Sequence, residues 1–389
     1  MKKLLLSFVV MTVTLYAENF EQFLDKAIEQ SPYLKASSLG IDQATEEGSA
    51  LTRYENPSLE LEYSRFEPDT RKSGNGYRVN YSQPIRLWGV GNDKEHFANA
   101  SVANANAVYS QKKAEFIRDI SLSYTLYAEQ KMFLALGAEE LRIAETIFNI
   151  SKTRYANGTV SRGTMLQAQV AFEMTEARNE SLGLNAMQGY YNLLKQAGIS
   201  EEIALDTHYD FSRTEALETT RNPDLLRLAS QQNRALSEAA VNSNKIEWMS
   251  LSAEYENEPQ QDVARVGLNV PLAFFNTKSQ EKAISRLEAQ KSEFLLQNKR
   301  ARLNIETVKF QKEMTSLKSL KRQNEKILQT ELELLTMFKE GYKIANINLL
   351  ELQDIRNKVI ETKGRLIQIK TGLDQNAIYA NYMQGNYNE

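Results

Sequence analysis

The chain has 389 residues, 47 basic against 50 acidic, no cysteine, seven prolines and two histidines. The missing cysteine excludes a disulfide frame, thiol chemistry and an N-terminal lipidated cysteine. A charge balance this close to neutral, on the acidic side, gives no support to nucleic-acid binding. His96 and His208 are too few and too scattered for a histidine metal site.

The first residues read as a secretory signal over 1–17: Lys2 and Lys3, the apolar run Leu4–Leu15, then Ala17. No other segment approaches the ~20 apolar residues of a membrane-spanning helix. An exported protein is expected.

The remainder of the chain carries one pattern twice. Ser31-Pro32-Tyr33-Leu34 and Asn222-Pro223-Asp224-Leu225 each open a helical stretch with proline in its first turn. Equivalent landmarks recur about 190 residues apart, a spacing that signals internal duplication. The first repeat is placed at 18–205, a connector at 206–221 and the second repeat at 222–389. In each repeat a hairpin comes after the helical stretch, with strands predicted at about 58–66 and 77–84, then at about 248–256 and 263–271. The strands alternate with period two. Leu59, Leu61, Val79, Leu251, Val266, Leu268 and Val270 share the apolar parity. Glu60, Glu62, Arg78, Asn80, Ser252, Glu254, Arg265 and Asn269 share the polar one. Pro84, lacking an N–H, is expected to end the second strand.

Long helices come next, at about 90–154 and 276–339. At 1.5 Å per residue each would reach about 95–100 Å. Ile120, Tyr127, Leu134, Leu141 and Phe148 recur every seventh residue, as do Leu287, Phe294, Ala301 and Val308, and later Leu320, Ile327 and Leu334. Such spacing predicts coiled-coil seams. Each long helix then breaks: at Gly158-Thr159-Val160-Ser161, and at Gly341-Tyr342 ahead of Asn346. Both glycines suit left-handed helix caps. Ser161 and Asn346 are expected to cap return helices at about 161–197 and 346–384.

The fold class is therefore mainly α with a small β part. Four strands cannot close a barrel, and a membrane tolerates no open sheet edge. If the hairpins span a bilayer, other chains must complete them. Three chains would give twelve strands around a watery lumen, with Glu60, Glu62, Arg78, Asn80, Glu254 and Arg265 lining it. Tyr63, Tyr81, Trp88, Trp248 and Tyr255 would supply aromatic girdles at the interfaces.

Tyr81-Ser-Gln-Pro-Ile-Arg-Leu-Trp-Gly89, Val270-Pro-Leu-Ala-Phe-Phe-Asn276 and the two glycine turns, in this order and spacing, resemble a known family. Over roughly residues 18–389 the chain is similar to the outer-membrane efflux proteins typified by TolC, nearest the CusC and CzcC group. The resemblance implies a homotrimer whose strands form one 12-stranded barrel in outer-membrane lipid, with most of the chain periplasmic in a helical barrel. It implies an exit duct that passively conducts substrates, working with a periplasmic adaptor and an inner-membrane pump of the RND type. Adaptor docking would fall on Gly158, Thr159, Val160, Ser161, Met165, Leu166, Gly341, Tyr342, Leu349 and Leu350. The family's tip gate, with its acidic rings, maps to Asn348 and Glu351, so only one of the two positions is acidic here. One ring gives a weaker cation preference than two.

An enzyme reading finds little support. Asp93-Lys94-Glu95-His96 reads as a solvated helix face, and there is no nucleophile elbow or phosphate-cradling loop. No cofactor and no metal are expected. The remaining alternative is a soluble periplasmic coiled-coil scaffold or adaptor without a pore, which leaves the four alternating strands unexplained.

Overall fold

A computed structural model describes residues 17–67, 73–212, 219–344 and 346–386. The predicted signal segment up to residue 16, the tip of the first hairpin and part of the connector lie outside the described residues.

The elements in order are α1 (Phe20–Gln30), α2 (Pro32–Thr52), β1 (Ser58–Phe66), β2 (Gly74–Arg86), α3 (Val90–Ala156) and α4 (Arg162–Ala197). Then come α5 (Pro223–Val241), β3 (Trp248–Glu258), β4 (Gln261–Asn269), α6 (Ser279–Lys343) and α7 (Leu349–Gln384). Helices α3 and α6 have 67 and 65 residues. The repeat pattern does not predict α1. It is built by a capping box, Asn19 with Gln22, and buries Phe20, Phe23 and Ala27.

The chain forms two compact units. One, containing residues 33–112 and 220–303, carries all four strands in a single antiparallel sheet of order β1-β2-β3-β4. The two hairpins are thus joined through β2 and β3, with Val79 opposite Tyr255 and Asn80 opposite Glu254. Beside the sheet, α2 and α3 approach closely: a Cβ on Gly48 would sit 3.0 Å from that of Ala98. Helix α5 starts at Pro223, with the Asn222 side chain accepting the amides of Asp224 and Leu225. Asp224 in turn accepts Gln111 at 2.7 Å and pairs with Lys299 at 2.7 Å.

The other unit, containing residues up to 32, 113–219 and 304–389, is helical. An aromatic cluster of Phe20, Tyr124, Tyr209 and Phe211 holds α1 and the connector against α3, with the Tyr124 hydroxyl donating to the carbonyl of Asp206 at 2.5 Å. Burial pushes that phenol well above its ordinary pKa.

Four expectations need correction. Pro84 does not end β2; it pairs with Ser250, and the strand continues to Arg86. The pairing of β1 with β2 ends at Ser82, so beyond it β2 has a neighbour on one side and needs no donor on the other. Strand β4 stops at Asn269, leaving Val270 outside it, and α6 begins at Ser279 rather than Asn276. Between them Lys278 adopts a φ of 52°, and its amide donates to the Asn276 side chain. Finally, the sevenfold stripe of Leu287, Phe294, Ala301 and Val308 is not the packed seam of α6. These residues are exposed, as are Leu320, Ile327 and Leu334. Buried instead are Ser285, Ala289, Ser292, Leu296 and Leu303, which also recur at coiled-coil intervals, and farther along Asn324 and Tyr342.

Candidate functional site: a two-faced sheet and two helical turns

The sheet is exposed on both faces, and the register sorts its side chains by chemistry. Opposed residues share a face. On one face Leu59 meets Tyr81, Leu61 meets Val79, Tyr81 meets Ala253, and Leu251 meets Leu268. Ala253 in turn meets Val266 there, and Tyr63 and Tyr255 have the same parity. All but Val79 and Ala253 are large and exposed. On the reverse face Glu62 meets Arg78, Glu60 meets Asn80, and Glu254 meets Arg265. Arg78 pairs with Glu62, and Arg265 with both Glu254 and Glu256, the last at 2.6 Å. Glu256 is a member of this face that strand alternation contained but the sequence reading did not single out. Trp248 stands opposite Arg86, on the polar parity, so it does not join the aromatic residues of the apolar face.

At the end of β2, Arg86 gathers the elbow. Its guanidinium donates to the carbonyls of Thr52 (2.8 Å) and Arg53 (2.6 Å) at the end of α2, and lies 3.4 Å from Glu247. It also stacks on the Trp248 ring at 4.5 Å and on Tyr54 at 4.8 Å. Gly89, at φ +81°, then turns the chain into α3. The second elbow lacks such a clamp: Leu272, Phe274 and Phe275 are exposed there.

In the helical unit the two turns pack on a shared apolar cluster of Ile147, Ala168, Tyr342, Leu349, Leu352 and Ile355. The first turn is a Schellman cap. Gly158 has φ +70°, the Thr159 amide reaches back to the Arg154 carbonyl at 2.9 Å, and that of Gly158 to Tyr155 at 3.0 Å. Ser161 then caps α4, accepting the amide of Thr164 at 3.1 Å. Gly158, Thr159, Ser161 and Leu166 are exposed, while Val160 and Met165 are half-buried.

The second turn is built differently. Gly341 is not a left-handed cap; α6 runs through it to Lys343. What demands glycine there is crowding, since a Cβ would lie 2.6 Å from Cγ1 of Ile347 as the chain returns. Tyr342, 1% exposed, is the anchor. Its hydroxyl bonds the Ser151 hydroxyl at 2.8 Å, its carbonyl accepts Arg154 at 2.9 Å, and the same guanidinium lies 4.6 Å from its ring. The cap of α7 is Asn348, not Asn346. Asn348 Oδ1 accepts the Glu351 amide at 2.9 Å, and Glu351 Oε2 accepts the Asn348 amide at 3.2 Å. The Glu351 carboxylate thus sits at a helix N-terminus, where the helix dipole favours negative charge.

Of the residues singled out for docking, Tyr342 and Leu349 are buried inside the chain and hold the turn rather than face outward. Leu350, Asn348 and Glu351 are exposed. Among the described residues no group of acidic, histidine or cysteine side chains is arranged to hold a metal.

A family model described as outer membrane efflux protein matches residues 23–198. No curated protein sequence matches the chain. Among solved structures, the outer membrane protein VceC from Vibrio cholerae is similar with a TM-score of 0.76 at 13% identity, covering 94% of this chain and 95% of that one. CusC, described for its transmembrane channel formation, gives 0.76 at 13% identity over 94% and 91%. The CmeC outer membrane channel of Campylobacter jejuni gives 0.75 at 15% identity over 94% and 85%. At such identities the likeness establishes the fold: mainly helical, with one small four-stranded antiparallel sheet.

Proposed function

Starting from an outer membrane efflux protein family match and a fold shared with solved outer-membrane channels, we propose that this chain is the outer-membrane exit duct of a tripartite efflux system. It passively passes substrate received from a periplasmic adaptor and an inner-membrane pump of the RND type.

One observation carries the reading: a sheet with an exposed apolar face, an ion-paired reverse face, and outer edges on β1 and β4 that no strand among the described residues covers. In water such edges invite uncontrolled association. In a bilayer they must be paired. Three copies joined edge to edge give twelve strands, enough for a lumen. Leu59, Leu61, Val266 and Leu268 then face lipid, and Glu60, Glu62, Arg78, Asn80, Glu254 and Arg265 face the pore. The exposed stripe of α6, from Leu287 to Leu334, supports the same reading, because apolar faces of this length in a folded chain mark association surfaces. Adaptor docking is assigned to the exposed residues Gly158, Thr159, Ser161, Leu166 and Leu350, with Tyr342 and Leu349 positioning the second turn. Glu351, one carboxylate per chain, and Asn348 form the gate.

The absence of native cysteine makes the edge pairing directly testable. A cysteine at Leu61 in β1 is combined with single cysteines scanned along 262–268 in β4, and membranes are oxidised. The expected result is a ladder of cross-linked species that ends at three chains, in material requiring detergent for extraction. A monomer released by osmotic shock, with no ladder at any position, would instead favour a soluble periplasmic scaffold.

A further inference from the structure

The helical unit contains a cavity of about 700 Å³ between α3, α4 and α7. Three charged groups dominate its wall. Glu140 of α3 is 6% exposed and pairs with Arg178 of α4 at 3.3 Å. Arg356 of α7 is 7% exposed, yet among the described residues no carboxylate lies within ion-pair distance of it. Its Nε and Nη2 both donate to the side-chain oxygen of Asn357, at 3.2 and 2.8 Å, a neutral acceptor on its own helix. The remaining charges on the wall, Arg365 and Glu361, pair with each other.

The one buried carboxylate, Glu140, is thus taken by Arg178, and the positive charge left over, on Arg356, is the one farther from water. Burial holds the Arg356 guanidinium below its ordinary pKa; nearby Glu140 opposes this and Arg178 adds to it. An uncompensated buried cation is costly, and a guanidinium fork is shaped to take two oxygens of a carboxylate, phosphate or sulfate. We propose that this cavity is a binding site for a small oxyanion, held by Arg356 with help from Arg178. The oxyanion completes the charge balance that Glu140 leaves unfinished. Because its ligands come from α4 and α7, occupancy ties the two return helices together across α3. The site is independent of the pore reading.

The full-length protein in detergent is unfolded thermally in sodium chloride, phosphate, sulfate or acetate at equal ionic strength. Phosphate binding is measured separately by titration calorimetry. A saturable rise in Tm with at least one of the three oxyanions, absent in chloride, is expected. The arm with the largest rise identifies the ligand chemistry. In Arg356→Gln the rise should vanish, while Arg322→Gln, an exposed arginine of α6 outside the cavity, retains it. Arg356→Lys keeps the charge but loses the fork, and should bind at least tenfold more weakly. Glu140→Gln, which removes the competing carboxylate, should bind more tightly. Equal Tm values in all four salts, or an oxyanion response undiminished in both Arg356 variants, would overturn the proposal.

Discussion

The two repeats follow one plan and divide its constraints in opposite ways. Repeat one has a clamped elbow, where Arg86 ties the ends of α2 and β2 to the start of β3, and a bare turn, where Gly158 and Thr159 are held by backbone bonds. Repeat two has a bare elbow, with Phe274 and Phe275 exposed, and an anchored turn, where Tyr342 is locked by Ser151 and Arg154. Duplication has kept the order of elements and not the interactions that hold them. Each turn needs its glycine, one because the backbone there is left-handed and the other because a side chain would collide with Ile347.

The largest test of that asymmetry sets Tyr342→Ala against Tyr155→Ala. Tyr342 is enclosed, so its loss should cost about 3–5 kcal/mol through cavity formation and the abandoned Ser151 and Arg154 contacts. Tyr155 is exposed and should change stability by no more than about 0.5 kcal/mol. Unfolding midpoints in denaturant would measure both. At the elbows, Arg86→Ala should cost about 3 kcal/mol, because two carbonyls lose a charged donor and two rings lose their cation. Phe275→Ala, its counterpart, should leave folding unchanged. Equal effects at the two elbows would remove the distinction.

At the turns, Gly158→Ala should cost about 1–2 kcal/mol from left-handed strain, and Gly158→Asn distinctly less. Gly341→Ala should also destabilise, yet be rescued by adding Ile347→Ala, which no backbone-strain explanation would allow. The smallest effects belong to the caps. Asn348→Ala and Ser161→Ala should each cost about 1 kcal/mol, whereas Asn346→Ala should cost almost nothing.

Local periodicity made much of this legible. Strand alternation placed Leu59, Leu61, Glu60 and Arg78 on the faces the register assigns, and proline and serine marked the starts of α5 and α4. What local pattern does not carry is which long-range partner arrives. Gly341 reads as a cap until Tyr342 is seen to be pinned by a residue 191 positions earlier. Asn346 and Asn348 compete as caps, and the deciding signal, glutamate three residues after Asn348, was present in the sequence. The α6 stripe has the right period for a seam, but the serines and alanine on the other side pack within the chain. Small residues allow that closer approach. Arg86 could not be found from sequence, since its partners come from the end of α2 and the start of β3.

The central claim is that the ion-paired face of the sheet lines water when copies combine. Conductance of purified protein in a planar lipid bilayer, under a potassium chloride gradient, tests it most directly. The polar face carries Glu60, Glu62, Glu254 and Glu256 against Arg78 and Arg265, so stepwise conductance with a cation preference is predicted. Arg78→Glu should deepen that preference and Glu254→Arg should reverse its trend. A silent bilayer, or conductance whose selectivity ignores both substitutions, would contradict it.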